Sequence, residues 1–198
     1  MNTSRPARTV RSRRRSASLT AAVLVSAAAA GVLVLQSQAS LSFSTARSLG
    51  ELVDRTPPGT TVFDDVPAVS NLDPDLRAAL RRAAGDASAD GVEFVVNSGW
   101  RSASHQERLL REAVEQYGSY AEAARWVATP TTSAHVSGEA VDIGPTQAAQ
   151  WLSAYGAAYG LCQIYANEPW HFELRPDAAE QGCPALYADP TQDPRMQQ

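Results

Sequence analysis

Three histidines occur in this 198-residue chain, His105, His135 and His171, and two of them stand near carboxylates at spacings that could build a metal site. His135 opens "HVSGEAVD", which ends on Asp142, and "EPWHF" sets Glu168 three residues ahead of His171. Two imidazoles and one carboxylate form a three-ligand set. Such a set leaves the fourth position of a zinc ion for water, lowers that water's pKa to about 7 and allows a carbonyl to be polarised. A further carboxylate beside the water can take its proton and later hand it to a leaving amine. Glu168, in a turn stiffened by Pro169, is the candidate for that role. Each pair alone also fits a plainer reading, a surface glutamate in a turn and a histidine buried in a sheet. His105 lies beside Gln106 and Glu107 at the start of an amphipathic pattern, where a solvated helix face is the better reading than ligation.

The elements that must position these residues can be read from hydrophobic period and turn residues. In "NLDPDLRAALRRAAGDA", Asp73 can cap a helix and Pro74 suits its first turn, while Leu76, Leu80 and Ala84 share one face. "GVEFVVNSG" alternates as a strand, and the loop "SGWRSA" follows it. Ser104 with Glu107 and Ser119 with Glu122 have the spacing of capping boxes, which predicts two helices, "SHQERLLREAVEQYG" and "SYAEAARWVA". After the polar "TPTTSAHVSG" comes a short strand, "EAVDIG". Its alternation sets Ala140 and Asp142 on one face and Val141 and Ile143 on the other, so apolar burial can aim the aspartate into a cleft. "TQAAQWLSAYGAAYG" predicts a third helix. The strands "LCQIY" and "WHFEL" follow, the second with His171 and Glu173 on one side and Phe172 and Leu174 on the other. The tail from Arg175 has no sustained period and reads as irregular.

Composition bounds what this body can do. A chain of this length with 44% hydrophobic residues can bury one good core, and two full domains are too much for it. It has no lysine, and six of its 17 basic residues are arginines before residue 40, where no acid occurs. The remainder sets eleven arginines against 21 acids, an acidic surplus of ten that argues against nucleic-acid binding. The arginine cluster "RSRRR" abuts the uncharged run Leu19 to Leu35, the pattern of an export signal. As a helix that run would span about 25 Å, against a hydrocarbon core of roughly 30 Å. A leader cleaved after Ala39 and a retained membrane anchor are both open, and either delivers the acidic body outside the cytoplasmic membrane. Residues 1–39 are therefore read as this segment, 40–70 as a proline-containing linker or lead-in, and 71–198 as the functional domain. Cys162 and Cys183 are the chain's two cysteines, and an oxidising compartment favours their pairing, at about 3 kcal/mol for a loop of this length.

"SGWRS" at 98–102, "SAHVSGEAVD" at 133–142 and "EPWHF" at 168–172, in that order, resemble the VanY-type zinc D-alanyl-D-alanine carboxypeptidases, relatives of the VanX dipeptidases and of the hedgehog-like zinc folds. The resemblance covers roughly residues 75 to 175. It implies an α+β fold, a small antiparallel sheet with helices packed on one side and a zinc site at the open face. It implies one zinc ion held by His135, Asp142 and His171, with Glu168 as catalytic base. Arg101 would bind the substrate carboxylate or a developing oxyanion, a task its planar fork of donors suits. Ser133 and Gln106 are further substrate-binding candidates, though Gln106 can equally extend a helix face. Trp100 and Glu139 depart from the family pattern; Glu139, an odd number of positions from Asp142, would face away from the metal. The implied substrate is the peptidoglycan stem peptide, cut at its terminal D-Ala–D-Ala bond by a chain expected to be monomeric. L,D-carboxypeptidase, D,D-dipeptidase and endopeptidase activities use the same site, and a non-catalytic wall-binding module keeps the same fold.

Overall fold

The computed structural model describes residues 55–197; the expected export segment lies outside the described residues. The first described stretch packs on the domain rather than trailing from it. Val62 and Val69 are buried in the core, Val69 within the short helix α1 (Pro67–Ser70), and the Thr60 carbonyl accepts the Val96 N–H at 2.8 Å. Next comes α2 (Pro74–Ala89), capped as its sequence predicts: one Asp73 carboxylate oxygen accepts the N–H groups of Asp75 and Leu76 at 2.9 and 3.0 Å. Leu76, Ala79, Leu80, Ala83 and Ala87 form its buried stripe, a three-to-four-residue recurrence that turns one face of the helix to the core.

Four strands make one antiparallel sheet, β1 (Val95–Ser98), β2 (Ala140–Gly144), β3 (Leu161–Gln163) and β4 (His171–Leu174), in the order β1-β2-β4-β3. The register sets Val96 against Ile143 and Val141 against Phe172, so one face carries these apolar side chains. That face joins the core with α2 and α6 (Thr146–Tyr155), the helix expected from "TQAAQWLSAYG". On the opposite face Asp142 stands directly across from His171, and Ala140 and Cys162 both lie across from Glu173. The alternation of side chains along each strand thus makes a single choice: burying the valines and isoleucine commits the aspartate, histidine and glutamate to the other side.

On the side of that second face α5 (Ala134–Ser137) packs on β2, and α3 (Ala103–Tyr117), with the short helix α4 (Tyr120–Ala123) packed against it, lines the cleft that Asp142 and His171 also line. α3 starts earlier than expected: its cap is Ser102, whose hydroxyl accepts the His105 N–H at 3.2 Å, and Ser104 is already inside the first turn. The expected second helix shrinks to one turn, although Ser119 caps it through the Glu122 N–H as predicted. Within the polar stretch before β2, "SAHVSG" folds into the one-turn helix α5. The tail is mostly irregular, with one turn of helix, α7 (Ala178–Gln181), and two 3-10 turns at Pro190–Gln192 and Pro194–Gln197. Cys162 and Cys183 form the expected disulfide.

Candidate metal and active site

His135 reaches the site from α5, Asp142 from the middle of β2, and His171 from the first residue of β4. The helix stops at Gly138, whose φ of 82° is left-handed; a Cβ there would lie 2.6 Å from the Asn71 carbonyl oxygen, so glycine alone fits this turn into β2. The loop before Arg101 is equally constrained, since a Cβ on Gly99 would overlap the backbone of Ala68. Pinned in this way, the Gly99 carbonyl accepts the Nδ1–H of His135 at 2.8 Å, and the Arg101 N–H bonds the His135 carbonyl at 3.1 Å. The first bond fixes the tautomer and presents Nε2 to the site.

The three candidate ligands converge. His135 Nε2 lies 3.3 Å and His171 Nδ1 3.2 Å from the same oxygen, Oδ1 of Asp142, and all three ligating atoms fall within 4.8 Å of one another. All three side chains are buried, and the two imidazole rings meet edge to face at 5.0 Å. Separations of this size match the edges of a tetrahedron of about 3.3 Å that ligand bonds of about 2.0 Å generate, and two imidazole nitrogens with one carboxylate oxygen are a zinc donor set. The residues present therefore fit a zinc ion. His105, by contrast, remains in the first turn of α3, outside the cluster.

Glu168 stands beside the ligands, its Oε2 3.7 Å from His171 Nδ1, and is only 8% exposed. Burial pushes its carboxyl up to about 7, against the pull of His171 and Arg101. Asp142 goes the other way. Burial would raise it, but His135, His171 and Arg101 together hold it well below the usual carboxylate range. The imidazoles divide too: burial, then the Arg101 charge, lowers His135, whereas at His171 burial is outweighed by the hydrogen bonds its ring donates to Asp142 and Glu173, which bring it to about 9.

Arg101 Nη2 donates to the second Asp142 oxygen at 2.9 Å, Nε to Ser98 Oγ at 2.7 Å and Nη1 to Gln106 Oε1 at 3.0 Å. Gln106 is buried and spends its amide N–H on the Ala128 carbonyl, so it orients Arg101 rather than extending a solvated helix face. Ser133 is buried at the start of α5, its hydroxyl caps no helix N–H, and together with Arg101, Glu168 and Trp170 it lines the cleft over the cluster. Glu139 is exposed and bonded to Ser137, away from the ligands.

Glu173 received no role from the sequence, yet its Oε1 lies 3.3 Å from His171 Nε2 and its carboxylate is bonded by Arg175 and by Arg195. The alternation of β4 already set Glu173 and His171 on one side. No local pattern marks Arg195, 22 residues further on.

Residues 69–177 match the VanY family, D-alanyl-D-alanine carboxypeptidase. The chain is 31% identical over 150 residues to a D-alanyl-D-alanine carboxypeptidase of Enterococcus faecalis, a match covering 61% of this chain and 56% of that protein. It thus spans about half the length of this curated relative. Among solved structures, VanYB in complex with D-alanine-D-alanine is 28% identical with a TM-score of 0.52, covering 56% of this chain and 78% of that one. The vancomycin resistance D,D-pentapeptidase VanY, a glutamate-to-alanine variant in complex with Zn(II), is 26% identical with a TM-score of 0.51 and covers 61% and 82%. The LdcB LD-carboxypeptidase, at 22% identity and a TM-score of 0.52 over 62% and 68%, shares the fold.

Proposed function

Because the chain belongs to the VanY family of D-alanyl-D-alanine carboxypeptidases, we propose that it is a zinc metallopeptidase that removes the terminal D-alanine from peptidoglycan stem peptides outside the cytoplasmic membrane. One observation carries the reading: His135 Nε2 and His171 Nδ1 converge on Asp142 Oδ1, with the buried carboxyl of Glu168 beside them. The solved VanY relatives that hold Zn(II) and D-alanine-D-alanine support both the metal and the substrate class.

His135, Asp142 and His171 would hold the ion, which when bound supplies Lewis acidity to a water and to the scissile carbonyl. Glu168 takes the proton of the attacking water and delivers it to the amine of the departing D-alanine. A carboxyl pushed up to about 7 is well matched to both halves of that task near neutral pH. Arg101 spends one N–H each on Ser98, Gln106 and Asp142, and the rest of its planar fork serves the oxyanion or the substrate's terminal carboxylate. Ser133, across the cleft, offers that carboxylate a hydroxyl.

The test is digestion of a purified stem pentapeptide ending in D-Ala–D-Ala by the zinc-loaded protein, with products weighed by mass spectrometry. Loss of one alanine is expected. A zinc-loaded protein that leaves the pentapeptide whole while trimming a tetrapeptide would assign it to L,D-carboxypeptidases, and one that cuts no muropeptide would make it a binding module.

A further inference from the structure

Behind His171, on the side away from Asp142, lies a buried charge network that the proposed chemistry does not use. Glu173 is 1% exposed, and its Oε1 faces His171 Nε2 at 3.3 Å. Such a carboxylate cannot stay buried and charged without donors. Arg175 Nη2 reaches its Oε2 at 2.7 Å, and Arg195 grips both oxygens, Nη1 on Oε2 at 2.7 Å and Nη2 on Oε1 at 3.2 Å. Arg195 is itself held by Asp193, which is fully buried and accepts the Tyr165 hydroxyl at 2.9 Å. The Tyr165 ring in turn lies 5.2 Å from the ring of His171.

These contacts bring the last turn of the tail, Pro194–Gln197, back to the residue behind a candidate metal ligand, and Met196 lines the cleft beside it. The tail leaves the sheet after Leu174 and is tied back to it by the Cys162–Cys183 disulfide, and Cys162 is the cross-strand partner of Glu173. It is fastened again by the Arg125–Asp189 ion pair at 2.9 Å. Arg195 therefore arrives at Glu173 from a segment anchored elsewhere.

We propose that Arg195 is a positioning residue for the metal centre: by holding Glu173 it keeps that carboxylate on the Nε2–H of His171, which orients the ring and presents Nδ1 to the ion. This rests on the metal reading above. A carboxylate accepting from the distal nitrogen fixes the tautomer and raises the basicity of the ligating one, and loss of such a partner commonly costs 10- to 100-fold in metal affinity.

The experiment measures zinc affinity by chelator competition, and the visible absorption of the cobalt(II)-loaded protein, for the full chain and for Arg195→Ala, Arg195→Lys and Arg125→Ala. Arg195→Ala is expected to bind zinc about tenfold or more weakly and to shift the cobalt bands, with Arg195→Lys recovering part of both. Arg125→Ala, which loosens the tail at its half-buried Asp189 pair without touching Glu173, is expected to stay within about twofold of the unaltered chain, well short of that range. Unchanged affinity and bands in Arg195→Ala, or an equal loss in Arg125→Ala, would overturn the assignment; the latter would make tail docking itself the cause. Failure of the unaltered chain to bind zinc or cobalt at all would refute the metal reading first.

Discussion

Asp142 meets two demands with its two oxygens: Oδ1 is shared by both imidazoles, and Oδ2 takes the Arg101 guanidinium. The oxygen facing the histidines is thereby left as a ligand atom and the carboxylate stays ionised. Glu168 is in the opposite condition, buried with no arginine paired to it among the described residues. Glu168→Gln keeps shape and removes the proton acceptor, so hydrolysis should fall by about 10²–10⁴-fold with zinc content unchanged; a fall in zinc content instead would make Glu168 a ligand. Arg101→Lys loses the planar fork, and turnover of the pentapeptide should drop by about 10²–10³-fold, the usual loss for one oxyanion donor. Unaltered turnover would remove Arg101 from the transition state. The metal-free site also has a proton to lose. With His171 held up at about 9, its imidazole is protonated at pH 7 and must be neutral to ligate, so zinc binding releases protons and weakens as pH falls. Titration calorimetry at pH 7 in buffers of differing ionisation enthalpy should give a net release of protons on zinc binding, and a net uptake would contradict this protonation state.

At the scale of elements, two short strands and a one-turn helix deliver the ligands, and most of that delivery was legible. Alternation alone separated Asp142 from Val141 and Ile143 and set His171 with Glu173, because a strand offers only two faces and one had to be buried. Helix boundaries were less legible. Only Ser104 has a capping-box glutamate three residues on, yet the helix is capped by Ser102, which follows the loop that Gly99 and Arg101 pin to α5, a tertiary constraint without a local mark. Gln106 shows the same limit: its amide is taken up by the Ala128 carbonyl, 22 residues on, as well as by the nearby Arg101. The element that supports the sheet from the other side is α2, whose Leu76 and Leu80 are wholly buried. Leu80→Ala should lower unfolding stability by about 2–5 kcal/mol in denaturant melts. A change under about 0.5 kcal/mol, ordinary for a surface position, would place that side chain outside the core.

At the scale of the whole molecule, the acidic surplus and the paired cysteines belong together with the export segment expected at residues 1–39. A disulfide persists where thiols are oxidised. The crosslink ties the tail beside Glu173, so the same bond that limits the unfolded chain also holds the segment carrying Arg195 near the site. Replacing both cysteines with serine should cost about 3 kcal/mol of stability and make the tail a target for limited proteolysis; an equally protease-resistant tail would show that its ion pairs suffice. The tail was the least legible region, since its contacts with the sheet are made by single side chains on irregular backbone, and no period announces them.

The most direct test of the central claim counts metal. Purified protein should contain one zinc per chain, and His135→Ala, Asp142→Ala and His171→Ala should each lose most of it while circular dichroism reports a folded domain. Full zinc content in any one of those folded variants, or none in the unaltered chain, would contradict a centre built from these three side chains.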